Sequence, residues 1–347
     1  MQPVGSLIFW LKHLENRMNK NNKRFIGLIG VGYWGKNLLR NLYELGVLAA
    51  CCDIDDAVIS SVNENLTGVI CVTSVDDVLR DESITAVVIA TPAATHYEIA
   101  KKALSCGKDI FVEKPLALTV KEGEDLIRIA RKQKKIIMVG HILHYHPAVI
   151  KLKELIANKV LGKIQYVYSN RLNIGKLRTE ENILWSFAPH DISAMLMLAG
   201  SEPDKLVCFG GAYLNKGVYD TTLTTIEFKN GIKGHIFVSW LHPFKEQKLI
   251  VVGSKAMAVF DDMRKDKLFI YKHRIEWRNG RIPIAHKANY EVMKVVMKEP
   301  LRAELEQFIK CVGNRRVPDT DGNEGLKVLK ILELCERSLL LMKRRDK

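Results

Sequence analysis

The chain has 347 residues, of which 47% are apolar and 27% charged. That is enough apolar material for a large core spread over two domains, and it excludes a disordered chain. The 53 Lys and Arg outweigh 39 Asp and Glu to leave +14, yet the apolar runs, such as 86–90 and 249–252, fall well short of the roughly 18 residues that a membrane-spanning helix requires.

About half of the excess charge sits at the two ends. Lys12, Arg17, Lys20, Lys23 and Arg24 outnumber Glu15 at the start, and residues 343–347 form a basic tail. The remainder favours an anionic ligand. Nucleic acid is not the expected partner, because no helix-turn-helix, zinc-finger or aromatic RNA-binding pattern accompanies the charge. Seven cysteines, an odd count with no CxxC, read as reduced thiols of a cytoplasmic protein. Leu7–Leu11 is too short for a signal peptide and has no basic residues before it, so no membrane association is expected. Residues 1–23 read as an N-terminal extension, with Met18 as an alternative start.

From residue 24 strands and helices alternate. Arg24–Ile29 is an apolar strand, and Leu38, Leu39, Leu42 and Leu45 follow at helical spacing until Gly46. Strands are expected at 47–53, 69–72, 86–90, 110–112 and 136–139. Helices are expected after Ser74, over 95–106 ending at Gly107, and over 119–134. Such alternation implies a parallel sheet covered on both faces. Beyond His146 the pattern changes. Helices are expected over 147–158 and 189–198, then strands over 205–209, 221–228, 233–240, 248–252, 256–260 and 267–271, joined by short turns. Residues 273–300 show no period and read as a long excursion, and helices over 301–312 and 323–342 close the chain. The fold class is therefore α/β. A Rossmann dinucleotide-binding domain spans 24–146, with the closing helices able to return to it. An α+β domain with an open, mainly antiparallel sheet spans 147–342 and serves substrate binding and oligomerisation.

The first strand runs into Gly30-Val31-Gly32-Tyr33-Trp34-Gly35, and Asp53 ends the second strand 18 residues after Gly35. A GxGxxG that follows a strand, opens a helix and precedes an acidic residue at this distance is the dinucleotide fingerprint. Gly30 permits the turn, Gly32 admits the pyrophosphate and Gly35 lets helix and strand pack closely. The helix N-terminus offers its N–H groups to the phosphates. Asp53 would accept from the ribose hydroxyls and repel a 2′-phosphate, and Ile54 supplies no arginine, so NAD is expected over NADP.

Ala90-Thr91-Pro92 with His96 follows the fourth strand, and Glu113-Lys114-Pro115 follows the fifth. Together with the glycine loop and Asp53, these stretches resemble the Gfo/Idh/MocA oxidoreductases over residues 24–342. That resemblance implies a coenzyme site including Tyr33, Trp34, Thr91, Pro92, His96, Glu113, Lys114 and Trp185. It makes Lys114 catalytic, and it matches His190 of Trp185-Ser186-Phe187-Ala188-Pro189-His190-Asp191 to the family histidine. Ser186 stands where the family commonly has Asp. Oxidising a secondary alcohol removes a hydride and a proton. A neutral histidine accepts that proton near pH 7, and an ammonium stabilises developing alkoxide charge. His190 as base and Lys114 as electrostatic group follow, with their roles exchanged if Lys114 is strongly desolvated.

Residues 140–148, with Tyr145 and His146, and residues 170–178, with Arg171, Asn173, Lys176 and Arg178, are similar to the WlbA-type branch. That branch oxidises the 3-hydroxyl of UDP-N-acetylglucosaminuronic acid in the biosynthesis of surface-polysaccharide sugars. The resemblance implies a nucleotide-sugar partner bound by these residues with Lys114, His190 and Asp191, 2-oxoglutarate as a candidate hydride acceptor, and a homo-oligomer, dimer or tetramer. Alternatives are a 3-ketoreductase, another sugar or polyol dehydrogenase of the family, or a non-catalytic NAD-binding regulator. His141, His144 and His146 form an HxxHxH, but no Cys, Asp or Glu nearby completes a metal set, and no metal is expected.

Overall fold

A computed structural model describes residues 24–175 and 181–345; the expected extension, Lys176 and Arg178 and the last two tail residues lie outside them. The chain divides into two compact units: residues 24–140 with Leu301–Leu329, and His141–Pro300 with the residues from Lys330 onward.

The first unit is built on six parallel strands: β1 (Ile26–Ile29), β2 (Leu48–Cys52), β3 (Ile70–Val72), β4 (Ala86–Ile89), β5 (Asp109–Glu113) and β6 (Ile137–Gly140), in the order β3-β2-β1-β4-β5-β6. Every residue of β1, β4 and β6 is buried, as a parallel sheet sandwiched between helices requires. Between the strands run α1 (Gly35–Glu44), α2 (Asp56–Asn65), α3 (Val75–Arg80), α4 (Ala93–Ser105) and α5 (Val120–Gln133). The apolar stripe of α1, Leu38, Leu39 and Leu42, is buried, each side chain contributing about 1.5–3 kcal/mol. Thr119 and Glu122 form a capping box that starts α5, and Gly107 follows α4 at φ +72°. The order is that of a doubly wound dinucleotide fold.

The segment 301–329 belongs to this unit for physical reasons. Phe308 of α6 (Pro300–Asn314) packs edge-on against Phe111 of β5 at 5.8 Å. Arg315 pairs with the buried Asp109 at 2.5 Å. Thr320 then lies along β6: its carbonyl accepts from the Val139 N–H, and its hydroxyl donates to the Val139 carbonyl, both at 2.8 Å. These bonds cover the free edge of the sheet.

The second unit opens with a 3₁₀ turn (Ile142–Tyr145), then α7 (Pro147–Ala157) and α8 (Ile183–Ala199). Its main sheet has eight strands: β7 (Ile164–Leu172), β8 (Pro203–Gly211), β9 (Thr221–Phe228), β10 (Lys233–Ser239), β11 (Glu246–Gly253), β12 (Met257–Asp261), β13 (Leu268–Tyr271) and β16 (Tyr290–Val292). In the order β16-β13-β12-β11-β7-β10-β9-β8 only β7 and β10 pair in parallel. β14 (Arg274–Arg278) and β15 (Ile282–His286) form a separate hairpin. The closing helix α9 (Gly322–Arg345) serves both units.

Three expectations are corrected. Residues 273–300, read as an excursion without period, carry the hairpin and β16; β14 does alternate, with Ile275 and Trp277 between polar residues, but it is exposed throughout. The helix expected to start at Pro189 begins at Ile183, capped by the Asn182 side chain, and Pro189 lies inside it. Burial on nearly every side of α8 outweighs the backbone bond that the proline removes. β7, unforeseen, is the central strand. Its helix-facing positions include Ser169 and Arg171, and these polar residues hide the period of two.

Candidate active site

The coenzyme half lies wholly in the first unit, at the C-terminal ends of the parallel strands. Gly30 turns the chain at φ +93°, and a Cβ there would meet the backbone of Ala90 and Thr91 at 2.7–2.8 Å. A Cβ on Gly35 would lie 2.2 Å from the Gly30 carbonyl oxygen. A Cβ on Gly32 would meet nothing within 4 Å. Two glycines are thus demanded by the fold, and the middle one is left for a ligand. No side chain caps α1, and the Lys36 and Asn37 N–H groups of its first turn donate to the Gly32 and Trp34 carbonyls. These features fit a dinucleotide pyrophosphate.

Asp53 does more than its position in sequence foretold. Its Oδ2 accepts from the Val31 N–H at 2.7 Å and its Oδ1 from the Asp55 N–H at 3.1 Å, so the carboxylate also holds the glycine loop. Ile54 beside it is 90% exposed and brings no cation. Burial, and then the Asp53 charge, push the Cys52 thiol up to about 11, which makes it inert at neutral pH.

The structure joins two further expected residues directly: the Trp34 indole donates to Glu113 Oε1 at 2.5 Å. Tyr33 next to it is almost fully exposed. Lys114 follows the end of β5, and its peptide to Pro115 is cis. Thr91 accepts from the Thr95 hydroxyl at 2.7 Å, and Pro92 precedes α4. His96 is enclosed between the loops after β4 and β5. Its ring is 1% exposed, with Nδ1 2.7 Å from the Pro115 carbonyl and Nε2 2.9 Å from the Thr91 carbonyl. It clamps the loops after β4 and β5 together.

Glu304 of α6 was not foreseen. It is 1% exposed with Oε1 unpaired, and burial, reinforced by the nearby Glu113 charge, pushes its carboxyl well above the usual range. Both effects favour its protonated form. The signal was legible: a glutamate stands in the apolar stripe Leu301, Leu305, Phe308.

The second unit carries the other expected residues. His190 is half-buried on α8, its ring edge-on to that of His141 at 6.4 Å. The next residue, Asp191, is buried and accepts from Ser169 Oγ at 2.5 Å and from Arg171 Nε at 2.6 Å and Nη2 at 3.3 Å. With its amide oriented to suit both neighbours, Gln247 accepts from Arg171 Nη1 and donates to Asp262, each at 3.0 Å. Arg171 and Asp191, expected to meet substrate, thus meet each other. Trp185 is 6% exposed and donates its indole N–H to Glu336 of α9 at 2.6 Å.

Tyr145 and His146 are buried. His146 Nδ1 accepts from the Ala148 N–H at the start of α7, Nε2 lies 3.6 Å from Asp262, and Phe260 packs edge-on to the ring at 4.7 Å. Burial alone would raise the Asp262 carboxyl, but His146 and Lys267 together hold it below its ordinary value. His144 bonds the Ser193 hydroxyl at 2.8 Å, so the three histidines of the HxxHxH have separate surroundings. No group of three metal-ligating side chains occurs among the described residues. The Asn173 N–H donates to the Ser239 carbonyl at 3.0 Å.

A family model described as an oxidoreductase family with an NAD-binding Rossmann fold matches residues 24–141, and the Gfo/Idh/MocA C-terminal domain matches 149–259. The chain belongs to the Gfo/Idh/MocA oxidoreductases. It is an NAD-binding enzyme of that family with the expected α/β architecture. It is 25% identical to the uncharacterized oxidoreductase YrbE of Bacillus subtilis, over 90% of this chain and 93% of that one. It is 26% identical to the UDP-N-acetylglucosamine 3-dehydrogenase of Acidithiobacillus ferrooxidans, over 87% and 93%. The crystal structure of that dehydrogenase, GnnA, superposes with a TM-score of 0.79 over 90% of this chain and 97% of that chain at 24% identity, a likeness of fold. No helix among the described residues is long and apolar enough to cross a membrane.

Proposed function

We propose that the chain is a dehydrogenase of nucleotide sugars that oxidises the 3-hydroxyl of UDP-N-acetylglucosaminuronic acid, supplying a 3-keto sugar for surface-polysaccharide biosynthesis. The observation that carries the reading is Lys114 beside a built coenzyme loop: it directly follows Glu113, which holds Trp34 of that loop. Bound NAD supplies the hydride acceptor. His190 takes the hydroxyl proton, and the Lys114 ammonium stabilises charge developing on the same oxygen. Trp34, Glu113 and the His96 clamp hold the loops that present Lys114.

One observation favours a second reading, UDP-N-acetylglucosamine itself. The Arg171 charge is spent on Asp191, so the uronic carboxylate must be met by Lys176 and Arg178, and the relative in Acidithiobacillus is named for the neutral sugar. The uncovered face of the second sheet carries Phe209 and Leu223, both exposed, and we assign self-association to it. Seven free thiols fit the reducing cytoplasm.

The test measures NAD reduction with each sugar nucleotide, with and without 2-oxoglutarate, and weighs the product. A product two hydrogens lighter from the uronic acid alone supports the first reading, and one from the neutral sugar alone supports the second. Turnover of neither, with NAD bound, refutes both. Lys114→Ala and His190→Ala should each lower kcat by roughly 10²–10⁴ while leaving the melting temperature in place.

A further inference from the structure

The first unit holds a cleft that the coenzyme does not use. It has a volume of about 530 Å³ and lies where the end of α5, the start of β6, the segment 315–318 and the start of α9 meet. That is the N-terminal end of β6, whereas the glycine loop follows the C-terminal end of β1. In a parallel sheet these are opposite ends of the strands, so the cleft is separate from the dinucleotide site.

Its charge is one-sided. Arg131, Lys134, Arg315 and Arg316 line it. Arg315 is neutralised by Asp109 and also donates to the Lys134 carbonyl at 2.7 Å. Arg131 donates to the neutral Asn323 amide oxygen at 2.9 Å. The acid in the lining is Asp321, which keeps its charge because its partners are neutral donors. Its Oδ1 accepts from the Glu324 N–H at 2.9 Å, and its Oδ2 accepts from the Asn323 amide at 2.7 Å. Arg131, Lys134, Lys135 and Arg316 therefore share one concavity and outnumber its single carboxylate, Asp321. Cations at the end of α5 complement its dipole, which accounts for Arg131 and Lys134. It does not account for Arg316, which arrives from another segment and adds its charge to the same space.

The remaining wall is apolar. Ile127, Ile137 and Pro318 form it, and Val317 stands 74% exposed at the mouth. A volume of this size lies within the range of small-molecule sites, roughly 300–1,000 Å³, where apolar walls carry the body of a ligand and a few polar groups orient it. Arginine forks beside a lysine suit a multiply charged phosphate better than a single carboxylate.

We propose that this cleft is a second anion site, for a small phosphate ester with a planar apolar body, of the nucleoside phosphate class. The phosphates sit among Arg131, Lys134 and Arg316, and the base lies against Ile127, Ile137 and Val317. Neither turnover nor the sugar substrate enters the test, so its outcome is independent of the proposed substrate. ADP and inorganic pyrophosphate are titrated calorimetrically into protein saturated with NAD. Wild type is compared with Lys134→Glu/Arg316→Glu and with a charge-matched control, Lys265→Glu/Arg281→Glu, in the second unit. The expected result is a binding site for both probes, tighter for ADP, that weakens about tenfold or more in the first variant and persists in the control. Absence of binding to the NAD-saturated wild type, or equal loss in both variants, overturns the site. Pyrophosphate binding as tightly as ADP overturns the nucleoside assignment.

Discussion

The glycine loop allows ligand binding and folding to be separated by one methyl group. At Gly32 a Cβ meets nothing within 4 Å, and the backbone is not left-handed. Gly32→Ala should therefore leave the stability of the coenzyme-free protein within about 1 kcal/mol of wild type, because the added methyl costs no contact and slightly restricts the unfolded chain. The same methyl stands where the pyrophosphate approaches the backbone, so the NAD dissociation constant should rise at least about tenfold, or about 1.4 kcal/mol. At Gly35 the Cβ lies 2.2 Å from the Gly30 oxygen, and ordinary contact begins at 3.4 Å. Helix α1 must retreat by the difference, roughly 1 Å, and overpacking of this kind costs about 1–3 kcal/mol. Gly35→Ala should thus lower the melting temperature by several degrees even without coenzyme. Thermal unfolding of the coenzyme-free proteins and fluorescence titration with NAD read the two effects independently. NAD binding by Gly32→Ala at wild-type strength, or an unchanged melting temperature for Gly35→Ala, would refute this account of the loop.

The Glu304 carboxyl is raised by burial and by the Glu113 charge. Its penalty is absent below the ordinary glutamate value and grows as pH rises from there towards the raised folded value. Glu304→Gln should stabilise the protein at neutral pH and not at pH 4, as followed by melting temperature against pH; a gain independent of pH would contradict the assignment. Asp262 has the opposite sign, held low by His146 and Lys267 against its burial. Its contribution is present above the ordinary aspartate value and lost as pH falls through the lower folded one, so Asp262→Asn should destabilise at pH 7 and cost little near pH 2. Asp191→Ala should cost up to about 3 kcal/mol by stranding the partly buried Arg171 charge, and Arg171→Met added to it should recover much of that loss. Additive losses in urea unfolding of the two single variants and the double variant would show that the pair is not coupled.

What could be read from sequence was local. Gly30, Gly32, Gly35 and Asp53 lie within one strand–helix–strand unit, and the roles assigned to them need only that unit to form. The alternation of strands and helices up to residue 140 was legible because parallel strands buried on both faces are almost purely apolar. Legibility failed where polar residues took core positions. Ser169 and Arg171 concealed β7, and Pro189 disguised the middle of α8 as its start. The remaining decisions were tertiary. Arg171 was a free cation in the sequence until Asp191, 20 residues on, took its charge. His96 became a clamp only when the Thr91 and Pro115 carbonyls converged on its two ring nitrogens. Residues 301–329 return to the first unit because Thr320 completes the hydrogen bonds of Val139, 181 residues earlier. A side chain's chemistry is written in its own residue, but whether that chemistry faces a ligand or is consumed internally depends on which distant groups the fold brings within about 3 Å.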